Sequence, residues 1–496
     1  MTGATVSKLN IPESWAETTL GDICSGFQYG ANASSISVGR VKLLRITDIE
    51  ENGKINWGSV PFTNLSFEDS KKYLLNNGDI VIARSGSIGK ISIIANLSDK
   101  AIFASYLIRV SLNLNAVKMP IFKFYFTAPI FQEHIKSGAK GAAQTNINTE
   151  TLKTAPVVIP PIGEQNRIVE KIESTQSKIN VIEDNVTKAE ALIEKYRESL
   201  LQKAFRGELV PQNPNDEPAS ELLKRIRAEK EKQADGKKKK KDELPPIKED
   251  EIPFEIPKSW EWIRLGELAD KVVYGSSTKT NDDAKGIPVL RMGNIQNGAI
   301  VYENLKYLPK NHNEFPELLL NENDLLFNRT NSPELVGKTA VFKKKQEKFS
   351  FASYLIKVAF IEQSIEPEFV SLFLNSNTGR EWVNSVMVQQ VGQANVNGTK
   401  LKECVIPLPP IKEQLRILDY FNIKIRKMEL SQDLLKKVIV AKQKILNSIL
   451  SKAFSGELVE QISAEGTGQD LLNQIKVSQP TEQLPIKTKS KKKAKK

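Results

Sequence analysis

Basic side chains that could bind phosphate stand at equivalent places in two distant parts of the sequence. Arg84 follows a short apolar strand and enters a polar loop that ends at Lys90, and Arg329 and Lys338 do the same much further along. Arginine and lysine side chains that position a protein on DNA pair with phosphate oxygens and carry no sequence information themselves. We expect phosphate contacts from these four residues, with ordinary exposed charge as the alternative.

Motifs for catalysis, nucleotide binding or metal ligation are missing from the sequence. The two cysteines and two histidines lie far apart, which argues against a zinc site or a disulfide scaffold. Gly337-Lys338-Thr339 resembles the end of a P-loop, but Ser332 stands where that motif needs its first glycine. We therefore expect no catalytic centre and no cofactor on this chain.

The sequence is an internal duplication that covers nearly its whole length. Four motifs recur in the same order, and the separation between the two copies changes by only a few residues. They are Ile-Pro-x-Ser-Trp at 11–15 and 256–260, Phe-Ala-Ser-Tyr-Leu-Ile at 103–108 and 351–356, Pro-Pro-Ile-x-Glu-Gln-x-Arg-Ile at 160–168 and 409–417, and Lys-Ala-Phe-x-Gly-Glu-Leu-Val at 203–210 and 452–459. Such a repeat must be recognised before the fold is interpreted.

The duplication separates shared residues from diverged ones. Residues kept in both copies are expected to form the scaffold, bind phosphate or dock a partner, whereas residues that read bases should differ. Arg45 and Arg291 recur, as do Tyr106 and Tyr354 in a hexapeptide that we otherwise expect to be a core strand. Base contacts are expected from unshared loops. Those loops are 25–42, 85–89, 273–286 and 330–337.

Amide side chains recur in two Gly-rich loops, as Gln144 with Asn146 and as Gln393 with Asn395. An amide can pair with both hydrogen-bonding groups of an adenine edge. Amide residues also form loops by bonding to nearby backbone. Because both copies carry these residues, we expect contacts to the DNA backbone or a structural role.

Each half of the chain contains a mixed globule and then a long helix. Short runs of β-forming residues, separated by turn residues such as Gly, Asn and Pro, predict an α+β domain. Residues 120–137 are predicted to form one amphipathic helix. Paired prolines then precede about 44 residues, or about 66 Å of helix, that end before Gly207 or Gly456. Apolar residues spaced mostly by three and four predict a coiled-coil seam. They are Ile168, Ile172, Ile179, Ile182, Val186, Ala189, Ile193, Tyr196 and Leu200, and Ile411, Leu415, Leu418, Ile425, Met428, Leu435, Val438, Ile445 and Ile449.

The two apolar stripes can cover each other as an antiparallel coiled coil. The order of the segments then predicts pseudo-twofold symmetry, with one recognition domain at each end of a rod. Two diverged domains held apart in this way suit an asymmetric DNA target in two parts, since identical domains would favour a palindrome.

The order of domain, helix, domain, helix, with the paired motifs that bound each helix, resembles the specificity subunit of a type I restriction–modification enzyme. The resemblance covers about 11–477. It implies a non-catalytic subunit that binds double-stranded DNA, two modification (methyltransferase) subunits and restriction (helicase–nuclease) subunits. S-adenosylmethionine, ATP and Mg²⁺ are implied on those partners. A coiled-coil adaptor that binds no DNA is the alternative.

The resemblance also implies where the parts lie. The equivalent helix ends would dock two identical partners, through Phe205 and Glu208 and through Phe454 and Glu457. The expected segments are 11–158 for target recognition domain 1, 159–235 for the central helix that sets the spacing and docks partners, 236–255 for a lysine-rich linker, 256–407 for target recognition domain 2, 408–477 for the C-terminal helix, and 478–496 for a disordered lysine-rich tail.

The net charge of +12 comes from two lysine-rich runs. Residues 224–242 hold ten basic and four acidic residues, and 487–496 hold seven lysines. These runs could grip phosphate without sequence preference or simply keep the chain in solution. No apolar run reaches the roughly 18 residues of a membrane span. The first ten residues lack a signal-peptide pattern, so we expect a cytoplasmic protein.

The coiled-coil interpretation predicts the effect of lengthening the first helix. Inserting one heptad between Ile179 and Leu200 should change the gap between the two parts of the DNA target and leave their letters unchanged. Methylome sequencing of a host that carries the variant with its modification subunit would measure both. The same heptad placed within 478–496 is the control, and altered letters in either part would contradict this division of roles.

Overall fold

The structure is a computed structural model that describes residues 10–112, 119–139, 146–234, 244–390 and 392–477. It divides into two units, each built around one copy of the repeat. Unit 1 contains the described residues up to Asn185 together with those from Lys436 onward, and unit 2 is Val186–Leu435. Each unit is described in its own right.

The first repeat begins with strands that alternate with short helices. The strands are β1 Ala16–Thr19, β2 Cys24–Tyr29, β3 Ser35–Ile36, β4 Lys42–Leu44, β5 Phe62–Thr63, β6 Ile80–Ala83, β7 Ile91–Ile93, β8 Ala101–Phe103, β9 Leu107–Leu112 and β10 Pro156–Ile159. The helices are α1 Leu20–Ile23, α2 Phe67–Ser70, α3 Met119–Tyr125, α4 Pro129–Gly138, α5 Thr149–Lys153, the long α6 Ile162–Phe205 and α7 Ala219–Ala234.

The second repeat follows the same order with additional short strands. The strands are β11 Glu261–Arg264, β12 Ala269–Tyr274, β13 Ile287–Leu290, β14 Ile295–Gln296, β15 Ala299–Ile300, β16 Lys306–Leu308, β17 Leu325–Asn328, β18 Thr330–Asn331, β19 Thr339–Val341, β20 Ser350–Phe351, β21 Leu355–Phe360, β22 Val388–Gln390, β23 Gln393–Asn395 and β24 Val405–Leu408. The helices are α8 Leu265–Leu268, α9 Pro367–Leu374, α10 Asn377–Val386, α11 Gly398–Glu403, the long α12 Ile411–Ser455 and α13 Gly468–Val477.

An antiparallel sheet forms the centre of each domain, in the order β2-β9-β6-β7 in unit 1 and β12-β21-β17-β19 in unit 2. Side chains alternate between the two faces of a strand. In β6, Ile80 and Ile82 therefore join the core that includes α4, while Val81 and Ala83 join a second core on the other face. A strand buried on both faces is apolar throughout, which explains the run Ile-Val-Ile-Ala.

The first and last strands of each domain pair with each other. β1 is antiparallel to β10, and β11 is antiparallel to β24. This pairing brings the Ile-Pro-x-Ser-Trp motif beside the paired prolines that begin the long helix. It thereby places two of the repeated motifs in one buried site within each unit.

A buried carboxylate joins those motifs to a third segment. In unit 1, Glu164 of α6 accepts hydrogen bonds from Trp15 Nε1 at 2.8 Å and from Gln461 Nε2 at 2.5 Å. Ser14 Oγ donates to the other side of the Gln461 amide, at 3.1 Å from Oε1. Burial raises the pKa of Glu164 above its ordinary value, although these hydrogen bonds oppose the shift. We call this arrangement the carboxylate lock.

Unit 2 contains the same lock. Trp260 Nε1 donates to Glu413 of α12 at 3.0 Å, Gln212 Nε2 donates to the same carboxylate, and Ser259 Oγ donates to Gln212 Oε1 at 3.2 Å. Burial again raises the pKa of Glu413. In each unit the glutamine lies just after the end of the long helix that did not supply the glutamate.

The ends of the long helices are buried as well. Phe205 packs edge-on against Phe369 and Phe373 in unit 2, and Phe454 packs against Tyr125 in unit 1. The glycine two residues beyond each phenylalanine has a positive φ, +71° at Gly207 and +82° at Gly456. A side chain at either glycine would also collide with the proline of the Ile-Pro-x-Ser-Trp motif in the same unit.

Each unit pairs the start of one long helix with the end of the other. In unit 1, Ile168 and Ile172 of α6 share a core with Leu450 and Phe454 of α12, and in unit 2 the end of α6 shares a core with the start of α12. The helix segments are therefore antiparallel, and Glu183 of α6 forms an ion pair with Lys442 of α12 in unit 1. The predicted α+β domains, long helices and antiparallel pairing are confirmed.

Some details of the helix predictions were wrong. Several residues assigned to the seam are exposed, both in the middle of the long helices and, at Leu415, close to the start of α12. These residues are Ile182, Tyr196, Leu415, Val438 and Ile445. The single helix predicted over 120–137 is two helices, since Pro129, which has no backbone N–H to continue α3, begins α4.

The hydrogen bonds of the carboxylate lock should contribute to the stability of unit 2. Glu413→Ala leaves the buried N–H of Trp260 without an acceptor, which should lower the free energy of unfolding by about 1–3 kcal/mol. Gln212 Nε2 keeps its hydrogen bond to the Gly207 carbonyl. Denaturant unfolding would measure the loss. Lys412→Ala, one residue earlier and exposed, is the control; equal stability of the two variants would contradict a structural role for the carboxylate.

The raised pKa of Glu413 adds a pH dependence to this prediction. The folded state binds the proton of this carboxyl more tightly than the unfolded chain does. Its contribution to stability should therefore fall as the pH rises above about 4.5, the ordinary pKa of a glutamate. Glu413→Gln should make the fall smaller, and an unchanged pH profile would show that this group does not cause it.

Candidate nucleic-acid interface

Four residues that both repeats share lie close together in unit 1, and some of the contacts that join them are made by the backbone. Arg84 follows β6, and its guanidinium carbon lies 4.8 Å from the ring centre of Tyr29 at the end of β2. The backbone N–H of Arg84 donates to the carbonyl of Tyr106 at 2.9 Å, and Ser85 forms a β-bridge with Asn146. The phenol oxygen of Tyr29 accepts a hydrogen bond from the N–H of Thr149 at the start of α5. We call Tyr29, Arg84, Tyr106 and Asn146 cluster 1.

Unit 2 repeats this geometry in cluster 2, which comprises Tyr274, Arg329, Tyr354 and Asn395. The guanidinium carbon of Arg329 again lies 4.8 Å from the ring centre of Tyr274, and the Arg329 N–H donates to the Tyr354 carbonyl at 2.9 Å. Arg329 Nη2 also donates to Asn395 Oδ1 at 3.3 Å. The Tyr274 phenol accepts from the N–H of Gly398 at 2.7 Å.

Both clusters present a positioned cation beside an exposed aromatic ring. Within the described residues, the Nε atoms of Arg84 and Arg329 are buried and have no hydrogen-bond partner. Tyr106 and Tyr354 are 62% and 45% exposed, a high value for large aromatic side chains. A stacked guanidinium is oriented by its ring and still offers N–H donors to an anion.

The sequence analysis did not identify Tyr29 and Tyr274, the tyrosines on whose rings the arginines stack. Tyr29-Gly30 recurs as Tyr274-Gly275, so the duplication did contain the signal. Glycine is required there, since a side chain at Gly30 or Gly275 would collide with backbone oxygens of the shared hexapeptide. The role of the tyrosines depends on a contact between strands that are distant in sequence.

The remaining candidate arginines have partners within the chain. Arg45 forms an ion pair with Asp48, with Nη2 2.7 Å from Oδ1, and the hydrogen bond between them raises the pKa of Arg45. Arg291 donates from Nη2 to the carbonyl of Asn304 at 2.6 Å, and its Nε, like those of Arg84 and Arg329, is buried and has no hydrogen-bond partner among the described residues. Both lie at the start of a short turn outside clusters 1 and 2.

The other candidates are divided between surface and undescribed positions. Lys90 forms an ion pair with the exposed Glu51 at 3.1 Å. Lys338 is partly buried at the end of its loop, and Gln393 is exposed on β23. Gln144 lies outside the described residues, as do residues 236–243 of the lysine-rich linker and the tail 478–496.

The four residues expected to dock a partner differ in their accessibility. Phe205 and Phe454 are only 2% and 5% exposed and face the cores of their own units. Glu208 and Glu457 are exposed, and their backbone N–H groups close the helix ends on Lys203 and Lys452.

The described residues contain neither a cluster of metal ligands nor a helix that could cross a membrane. Among residues 10–112, 119–139, 146–234, 244–390 and 392–477, no group of three or more His, Cys, Asp or Glu side chains is placed to hold a metal ion. In the same part of the chain, no helix has the length and apolarity that crossing a membrane requires.

The fold defines a protein with two related domains, each followed by a long helix, and comparison with a family model identifies the family. The model described as "Type I restriction modification DNA specificity domain" matches residues 12–190 and 257–439. Because these matches cover more than half of the chain, the chain belongs to this family, and the resemblance predicted from the sequence is confirmed. Family membership, and not the lack of a visible site, supports the expectation of a non-catalytic subunit.

Curated relatives are specificity subunits of type I restriction enzymes, and the matched length differs between them. The specificity subunit of the type I restriction enzyme EcoEI from Escherichia coli is 32% identical over 51% of this chain, and the match covers 44% of that protein. The EcoKI specificity subunit from Escherichia coli K12 is 25% identical over 88% of each chain. The chain thus spans less than half of the first relative and most of the second.

Solved structures resemble the fold of the whole chain. A chain from a study of complex assembly and conformational transition of the type I R-M system has a TM-score of 0.59 and is 16% identical, with 91% of this chain and 100% of that chain covered. The HsdS subunit from Thermoanaerobacter tengcongensis has a TM-score of 0.51 and is 17% identical, with 92% and 100% covered. At these identities the likeness concerns the fold.

Proposed function

We propose that this chain directs a type I restriction–modification complex to an asymmetric DNA site in two parts. Target recognition domain 1 (11–158) would bind one part and target recognition domain 2 (256–407) the other. The observation that carries the proposal is the pair of arginine–tyrosine clusters, identical in construction and set in two domains whose loops differ. Cations at equivalent positions suit a contact that both domains make to any duplex, whatever its sequence. Loops that differ between the domains suit the recognition of two different sequences.

Clusters 1 and 2 would hold phosphates of double-stranded DNA. The guanidinium is held over a tyrosine ring and keeps unused donors, and the neighbouring exposed tyrosine can contact sugar or phosphate. Lys90 and Lys338 would add charge at the ends of the same loops. Arg45 and Arg291, already engaged with Asp48 and Asn304, would contribute mainly through the field of their charge.

Two modification subunits would dock on the long helices and their ends. The exposed Glu208 and Glu457 stand at equivalent helix ends, while Phe205 and Phe454 would support them from beneath. Apolar side chains are exposed on the helices within each unit, which is typical of a surface covered by a protein partner. Examples are Val181, Val440 and Ile445 in unit 1 and Leu192, Leu430 and Leu434 in unit 2.

The chemistry of the complex would belong to those partners. The modification subunits would transfer a methyl group from S-adenosylmethionine to adenine, and restriction subunits would use ATP and Mg²⁺. We place the complex in the cytoplasm, and the buried free thiols of Cys24 and Cys404 are compatible with a reducing compartment.

Methylome sequencing tests the proposed function directly. A host that carries only this chain and its modification subunit should show adenine methylation at one asymmetric motif interrupted by an unread gap. The chain without that subunit should produce no methylation. A contiguous palindrome, or no modified motif, would overturn the proposal and would favour an adaptor that binds only proteins.

The phosphate role of the clusters predicts a specific change in binding. Arg84→Gln or Arg329→Gln should weaken binding by a similar factor for every DNA sequence and reduce the slope of log affinity against log salt by about one. Fluorescence anisotropy of the complex with its modification subunit, over a range of salt, would measure both. Lys54→Gln and Lys348→Gln remove the same charge from exposed positions elsewhere and serve as controls. An unchanged salt slope would contradict phosphate contact.

A further inference from the structure

A three-stranded sheet continues directly from cluster 2. β18 begins at Thr330, the residue after Arg329, and pairs with β23, which pairs in turn with β22. The order β18-β23-β22 leaves β22 at the edge. β22 and β23 therefore form a two-stranded ribbon that is attached to the arginine through β18.

One face of this sheet is joined to the arginine by hydrogen bonds. Thr330 and Val388 both lie opposite Asn395, so the three side chains share a face, and Gln393 lies two residues along it. Asn395 accepts from Arg329 and donates to Thr330 Oγ1 at 2.9 Å. Ala394 lies on the other face and is fully buried.

The ribbon exposes side chains that a free surface does not favour. Val388 is 63% exposed on an edge strand, Gln393 is exposed on the same face, and Gln389 is exposed on the opposite face. An exposed apolar edge tends to pair with other chains, so natural proteins usually protect or charge it. Residues 386–398 contain no charged residue, so no carboxylate in this segment opposes the approach of a polyanion.

The duplication divides the ribbon into shared and diverged residues. Gln393 and Asn395 match Gln144 and Asn146 of the first repeat. In β22, by contrast, Val388 and Gln389 correspond to Ala139 and Lys140. Ala139 is buried at the end of α4, so the exposed valine is particular to unit 2. The diverged strand has the pattern expected of residues that read the sequence bound by one domain only.

We infer that β22 and β23 enter the major groove with the face of Asn395 toward the bases, and that Val388 on this face determines a letter of the half-site bound by unit 2. This inference rests on the proposed function. The major groove admits a two-stranded ribbon, and an apolar side chain can contact the thymine methyl. The half-site should therefore include an A·T pair, with Arg329 anchoring the adjacent phosphate and Asn395 positioning that arginine.

The test exchanges the diverged residues for those of the first repeat. Val388→Ala and Gln389→Lys are expressed separately with the modification subunit and compared by methylome sequencing. With Val388→Ala, one half-site should change or accept additional letters, while the other half-site and the gap stay the same. Gln389→Lys, on the opposite face of the strand, should keep the letters of both half-sites. Methylation rates of Val388→Ala on duplexes with single base-pair changes should show about 5- to 150-fold less discrimination at the affected position. Lys348→Gln, on the same unit, is the matched control.

The outcomes separate this inference from the proposed function. If the wild-type chain yields no bipartite motif, the proposed function fails. If it does and Val388→Ala keeps the same letters, Val388 does not read a base. Equal weakening on all sequences, as predicted for Arg329→Gln, would make the ribbon a backbone contact and would also overturn the inference. Thermal unfolding of every variant would show whether a change in the methylated letters results from misfolding. Gln389→Ala, a small change at an exposed edge position, serves the same purpose.

Discussion

A buried carboxylate is the constraint on which each unit depends. Glu164 and Glu413 lie in positions where an unpaired charge would be costly, and each is accommodated by a tryptophan N–H and a glutamine amide from separate segments. The tryptophan belongs to the start of a recognition domain, the glutamate to the start of a long helix, and the glutamine to the segment after the other long helix. One polar site thus holds three chain segments together, and it explains why these motifs recur as a set.

A constant scaffold leaves the variable parts of each domain free to differ. The central sheets, the closing strand pairs and the arginine–tyrosine clusters have the same construction in both units. The ribbon of β22 and β23 is attached to this scaffold through Arg329 and Asn395, yet its edge strand carries residues that the first repeat lacks. Under the proposed function, phosphate contact and base recognition could therefore change independently, because the first would depend on the scaffold and the second on side chains at its margin.

Ionic partners within the chain decide which basic residues remain available to a ligand. Arg84 and Arg329 lie over aromatic rings and keep a buried Nε without a partner among the described residues. Arg45 looked equivalent in the sequence, but Asp48 stands three residues later and forms a close ion pair with it. Arg45 and Arg84 therefore differ in their partners, whereas both side chains are partly buried.

The sequence by itself determined the duplication, the α+β domains, the long helices and the family, because glycine, proline and apolar spacing act locally and recur in order. It also placed Arg84 and Arg329 directly after apolar strands, which are β6 and β17 in the structure. Only the tertiary structure showed the role of Tyr29 and Tyr274, the buried position of Phe205 and Phe454, and the exposure of seam residues such as Ile182 and Ile445. These features depend on contacts between segments far apart in the chain, and residue type and spacing do not specify which distant segment lies opposite a given side chain.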